Sequence, residues 1–283
     1  MLEFEPITPF GARAHGIQPD APPTPDEAEQ LRAALRRNRL LLFRGRTFSE
    51  EDHVRLVSAV GTVRSENGQV VNYLNATPSR YIKTDAVAQE RYLFHADYQM
   101  LPQGPLRVIS LYGVKVDAAN PTFFADMIAA ERRLPDGLRA YLEARDNVQV
   151  PYHPRVKGDT KFRVSERPAS FPYFRVSSLR RHSASGERYV SVSEFFSSHF
   201  EGLSEPDSDA VFRELAAIAY DPAELYVHVW QEHDLLIFDN EALQHARGRI
   251  SGASARSLRR IIAHPVTMQA LLADLGAFST TYD

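Results

Sequence analysis

His95 and Asp97 stand two residues apart inside the run RYLFHADYQM, between aromatic and apolar neighbours. On an extended strand residues i and i+2 share a face, so an imidazole and a carboxylate placed there can grip one metal ion. Two ligands do not hold a catalytic metal. The best third ligand is His245 in LLIFDNEALQHARGR, on a loop just beyond another strand-like run far along the chain. Two histidines and one carboxylate on one face of an octahedron leave three positions open, the arrangement of non-heme Fe(II) oxygenases.

The rest of the composition narrows the possibilities. With no cysteine among 283 residues, disulfides, thiolate zinc sites and a cysteine nucleophile are excluded together, and any metal falls to His, Asp or Glu. A chain that is 43% hydrophobic and 24% charged reads as globular. It has no apolar run of the length a membrane span needs, and its start, MLEFEPITPFG, lacks the pattern of a secretory leader, so a cytoplasmic enzyme is expected. A net charge of -3 gives no whole-surface field for nucleic acid.

Thr24, Pro25 and Glu27 form a capping box with proline at the first helical position, opening a helix to about Asn38. The apolar run Leu40 to Phe43 suits a strand buried on both faces. Ser49 caps a second helix, acidic in its first turn, that Gly61 ends. Short strands are then expected over Val70 to Leu74, Tyr92 to Tyr98 and Leu106 to Val116, with Thr122 beginning another. Helices broken at Pro135 cover Met127 to Arg145. Further on, a short helix is expected from Ser191 and a longer one over Pro206 to Tyr220. Strands follow over Leu225 to Trp230, Leu235 to Phe238 and Leu258 to Val266, and Trp230 reads as a core filler. The whole pattern is that of an α+β chain whose metal site lies inside a β-sandwich or barrel.

Residues 147–190 stand apart, with nine Lys or Arg against three Asp or Glu. A solvated connection explains them, and so does a basic lid that recruits an anionic or carrier-bound substrate. His199 and Glu201 repeat the H-x-[DE] spacing, but at the end of an expected helix, where that spacing splays side chains apart. Arg256 and Arg260 share one strand face after His245. An arginine fork beside a metal site is what a dicarboxylate co-substrate requires.

The combination of H-A-D, Q-H and R-x-x-x-R with Thr122 resembles the taurine dioxygenase (TauD/TfdA) family of Fe(II)/2-oxoglutarate-dependent oxygenases. The likeness runs from about Arg39 to Val266 through LLLFRG, HADYQ, PTFFADM, SGERYVSVSEFF and VWQEHDLLIFDNEALQH. It implies a double-stranded β-helix, a jelly-roll core flanked by helices, as a single catalytic domain. It also implies His95, Asp97 and His245 as iron ligands, Thr122 and Arg256 as partners of the 2-oxoglutarate C5 carboxylate, and Arg260 facing a substrate anion. Asn72, Tyr73, Asn75 and Tyr98 would complete the pocket. Fe(II), 2-oxoglutarate and O2 would together hydroxylate a small polar metabolite, anionic or amino-acid-derived, releasing succinate and CO2. Desaturation, cyclisation or epimerisation could follow from the same oxidant. Asp97 in the third protein position leaves no site for a chloride ligand, which disfavours halogenation. A homo-oligomer is compatible with all of this. The competing classes are a cupin-like metal enzyme that does not use 2-oxoglutarate and a metal-free β-sandwich binding protein with buried core histidines.

Overall fold

In the computed structural model the described residues are 2–75, 92–116, 120–151, 163–167, 172–248 and 256–273. The amino-terminal elements are β1 (Glu3–Pro6), β2 (Ala12–His15), α1 (Pro25–Asn38), β3 (Leu40–Phe43), α2 (Glu50–Val60), β4 (Val63–Arg64) and β5 (Asn72–Asn75). The middle of the chain forms β6 (Tyr92–His95), β7 (Val108–Lys115), β8 (Thr122–Asp126), α3 (Met127–Arg133), α4 (Asp136–Glu143) and β9 (Asp146–Gln149). Then come β10 (Phe174–Ser177), β11 (Leu179–Arg181), β12 (Arg188–Val190), β13 (Ser197–Phe200) and α5 (Glu205–Ala219). The last elements are β14 (Tyr226–His228), β15 (Leu235–Asp239), β16 (Leu243–Arg247), β17 (Ser257–Ala263) and α6 (Met268–Leu271).

Local chemistry sets several of these boundaries. Both expected capping boxes form, Thr24 with Glu27 and Ser49 with Asp52, so α1 and α2 start where the sequence places them. The Asp126 carboxylate accepts from the Ile128 and Ala129 amides, turning β8 directly into α3.

Two sheets face each other. The larger runs β1-β2-β3-β15-β7-β17-β4, with β5 also paired to β17, and the smaller runs β14-β8-β16-β6. Neighbouring residues of a strand part to opposite faces. Leu40, Leu42, Leu236 and Phe238 therefore enter the core between the sheets, while Leu41, Phe43, Leu235 and Ile237 pack under α1 and α2. Phe94, Ala125 and Ala246 point out of the smaller sheet against Ile128, Leu138 and Leu215 of α3 to α5. Burial on both faces explains the unbroken apolar runs LLLF and LLIF, each such side chain contributing about 1.5–3 kcal/mol. The result is the expected double-stranded β-helix flanked by helices. No helix among the described residues is long and apolar enough to cross a membrane.

Two expectations change. The helix from Ser191 does not form: Ser193 Oγ accepts from the Phe195 and Phe196 amides, holding a single turn, and β13 follows, so His199 lies on a strand. His245 lies within β16 rather than on a loop. The described part of 147–190 is built into sheets, β10-β9-β13 and the β11-β12 hairpin. Four of its described arginines have local partners: Arg180 donates twice to the Leu101 carbonyl, and Arg163, Arg175 and Arg188 pair with Asp209, Glu201 and Glu131. These four side chains brace the fold. Residues 152–162 and 168–171 of that segment lie outside the described residues.

Candidate metal centre

Antiparallel pairing of β6 with β16 sets His245 directly opposite His95, with ring centroids 4.5 Å apart. Cross-strand partners are the closest side-chain neighbours a sheet offers, so this register by itself joins the two histidines. Asp97 lies just past the end of β6, where its backbone is gripped by one side chain. Asn240 Oδ1 accepts from the Asp97 amide at 3.0 Å, and Asn240 Nδ2 donates to the Asp97 and Leu106 carbonyls. The next residue, Tyr98, takes the left-handed conformation, φ 61°, which non-glycine residues rarely adopt away from constrained sites.

The carboxylate comes to both imidazoles. Asp97 Oδ1 lies 3.4 Å from His95 Nε2 and 3.8 Å from His245 Nε2, and the ligand atoms of the three residues lie within 4.8 Å of one another. His95 Nδ1 is 2.8 Å from the Leu93 carbonyl, which can only accept, so Nδ1 carries the proton and Nε2 presents its lone pair. His245 Nδ1 is buried with no hydrogen-bond partner among the described residues. Burial, with the charge of His95, pushes the His245 pKa down to about 3 against the pull of Asp97, so the ring is a neutral donor at physiological pH. Burial pushes the Asp97 carboxyl up, but the two imidazoles beside it hold it below the ordinary range. Two imidazoles and one carboxylate converging on one point fit a divalent metal.

Thr122, on β8 beside β16, accepts from Trp230 Nε1 at 3.0 Å and from Arg256 Nη2 at 3.2 Å. With both lone pairs taken, its hydroxyl proton is left to donate. Arg256 is buried, its Nε has no partner, and no carboxylate among the described residues pairs with it. Burial, with Arg247 adding, lowers its pKa to about 9, which leaves it cationic at neutral pH.

The other sequence-picked residues divide. Arg260 joins the cluster, but not as a free fork: Nη2 is 2.7 Å from Asp97 Oδ2, and Nη1 pairs with Glu66. Tyr98 donates to the same Glu66 at 3.0 Å. Asn72 Nδ2 donates to the Glu66 and Gln69 carbonyls, bracing the turn that carries Glu66. Tyr73 is set apart: 44% exposed, it stands beside Arg259 on the sheet face under α2, with its hydroxyl on Glu50. Asn75 closes β5 opposite Ser257, and its side chain lies outside the described residues. Sequence reading missed Glu66 and assigned no role to Asn240. The available signal for Glu66 was the hairpin pair Asn67-Gly68, whose φ values of 52° and 73° match the turn that Asn-Gly favours.

Comparison with known proteins identifies the family. A curated relative from Burkholderia sp. (strain RASC), an alpha-ketoglutarate-dependent 2,4-dichlorophenoxyacetate dioxygenase, is 25% identical over 265 residues, covering 84% of this chain and 85% of its own. A taurine dioxygenase structure from Burkholderia xenovorans superimposes with TM-score 0.74 at 22% identity, covering 93% of this chain and 89% of the other. AAD-2, solved with Mn(II) and N-oxalylglycine, superimposes at 0.76 with 22% identity, covering 94% of this chain and 99% of its own. Sheet topology, relatives and family pattern define the class as a non-heme Fe(II)- and 2-oxoglutarate-dependent dioxygenase. Within it, the chain belongs to the taurine catabolism dioxygenase TauD, TfdA family, whose pattern matches residues 3–262.

Proposed function

We propose that His95, Asp97 and His245 hold one Fe(II) ion, that Arg256 and Thr122 take the far carboxylate of 2-oxoglutarate, and that the enzyme hydroxylates an unactivated C–H of a small polar metabolite, anionic or amino-acid-derived. The observation that carries this reading is Arg256, a buried cation that no carboxylate among the described residues faces, fixed on a hydroxyl that has only its proton left to give. A buried unpaired charge costs several kcal/mol, and an anionic ligand would relieve it. A cupin-like enzyme without 2-oxoglutarate would not need this pair.

Iron bound at the cluster supplies the oxygen activation that couples decarboxylation of 2-oxoglutarate, to succinate and CO2, with oxidation of the substrate. The protein's own part is to position and shield. Arg256 and Thr122 orient the co-substrate through charge-assisted hydrogen bonds. The rings of Phe195 and Phe196 pack on His95, and those of Phe124 and Phe238 on His245, keeping water from the protein side of the ligands. The relative from Burkholderia sp. acts on a small organic anion, and AAD-2 was solved with a divalent metal and a dicarboxylate; both support the reading. Because β1 and β17 belong to one sheet, we also read the chain as one catalytic domain.

Anaerobic titration with Fe(II) and then 2-oxoglutarate tests the assignment by the weak visible charge-transfer band of a chelated 2-oxo acid. The band is expected in the wild type, absent in His95→Ala and weakened in Arg256→Ala. Iron binding without the band would overturn the co-substrate site, and no iron binding would overturn the metal centre.

A further inference from the structure

Arg260 presents a physical problem to the centre as assigned. It is a fully buried cation whose Nη2 touches the outer oxygen of the carboxylate proposed to bind the metal. A guanidinium there would repel a divalent ion and draw Asp97 toward itself. Glu66 answers both effects. Its buried carboxylate pairs with Nη1 of the same guanidinium and accepts from the Tyr98 hydroxyl at 3.0 Å. The carboxylate is also presented rigidly. Glu66 and Gln69 exchange backbone hydrogen bonds of 2.8 and 3.1 Å across the Asn67-Gly68 turn, and the Asn72 side chain braces that turn.

We propose that Glu66 is a positioning residue for the metal centre: as the fixed counter-ion of Arg260 it holds that guanidinium on Asp97 Oδ2, so that Oδ1 faces the two histidines and the net charge beside the metal stays near neutral. The inference rests on the three-ligand reading above and goes beyond it. It removes Arg260 from the role of substrate-anion anchor and makes Tyr98 a support of Glu66. The charge logic is direct. Like charges repel strongly at the effective dielectric of a protein site, so an uncompensated Arg260 would weaken metal binding. Partners behind metal ligands are typically worth about 10–100-fold in affinity.

The test is Co(II) titration of the full chain, reading both affinity and the visible ligand-field band, with unfolding temperature measured alongside. Glu66→Gln keeps an acceptor for Tyr98 but removes the charge; it is expected to bind Co(II) about tenfold more weakly, with a shifted band. Tyr98→Phe leaves the charge and removes one restraint, so a smaller loss in the same direction is expected. A purely structural role for Glu66 would lower the unfolding temperature while leaving affinity and band unchanged. Co(II) binding within twofold of wild type in both folded variants would overturn the proposal, and if Glu66→Gln does not fold, Tyr98→Phe decides by the same criterion. A wild type that binds no Co(II) would instead overturn the metal centre itself, and this inference with it.

Discussion

Burial drives His53 to its neutral form, and its partners fix its tautomer. His53, fully buried on the inner face of α2, accepts from Arg259 Nε at Nδ1, so its Nε2–H must donate to Ser110 Oγ, which in turn donates to the Leu236 carbonyl. Burial, reinforced by the Arg259 charge, pushes its pKa well below the ordinary value. A depressed histidine pKa means the neutral form is the folded form, so stability is complete above the unfolded value of about 6.5 and is lost as pH falls below it. His53→Gln keeps polar atoms but does not titrate. Its stability deficit against wild type is therefore expected to shrink between pH 7 and pH 5 in urea melts; a constant deficit would contradict a buried neutral imidazole. His182 has the opposite sign. Burial pulls its pKa down, but the hydrogen bond to Asp239 and the charges of Asp239 and Glu241 raise it overall, so its contribution is present at low pH and lost as pH rises. At this scale His95 and Asp97 were legible as a pair two residues apart, although the strand ends at His95 and Asp97 reaches the imidazoles from the turn that follows. Glu66 was not, because no local pattern says which distant arginine a carboxylate will meet.

Elements translate alternation into placement. On β17, Arg259 turns toward His53 and stacks over Tyr112 under α2, while Arg260, its neighbour, turns into the space between the sheets. Gly113 on β7 performs a spacing role: a Cβ there would come within 3.2 Å of the Gln231 carbonyl and 3.3 Å of the Trp230 ring. Trp230, the only tryptophan, is a core filler as expected, but it also donates to Thr122. Gly113→Ala is therefore expected to destabilise by about 1–3 kcal/mol and to weaken 2-oxoglutarate binding through the displaced indole. Tryptophan emission checks both, since the same ring reports unfolding and ligand binding; unaltered emission and stability would show that the ring has room to give. The strands LLLF and LLIF and both capped helices were readable because each carries its signal within a few residues. The helix expected from Ser191 failed because the Ser193 hydroxyl satisfies two amides in one turn, after which β-pairing of residues 197–200 with β9 takes over.

The proposed ligands come from β6, the turn after it and β16, while the residues that tune them come from the other layer, Arg260 on β17 and Glu66 in the turn between β4 and β5, so the centre ties the two layers together. Metal and co-substrate binding should then report on the whole fold. A ligand at a hundred times its dissociation constant adds about 2.7 kcal/mol of stability. For a chain of this size that is a rise of roughly 5–10 °C in unfolding temperature. Mn(II) with 2-oxoglutarate is expected to produce it in the wild type and not in His245→Ala; an equal rise in that variant would place the binding elsewhere. The sequence by itself determined what is encoded over short spans: capped helices, doubly buried strands, a ligand pair two residues apart, and a family pattern specific enough to imply the jelly roll. Only the tertiary structure decided that His245 stands on a strand opposite His95, that Arg260 grips Asp97 and Glu66 rather than an open pocket, and that Tyr73 faces away. Those outcomes depend on strand register and on which charges meet after burial, and neither is set until distant segments pair.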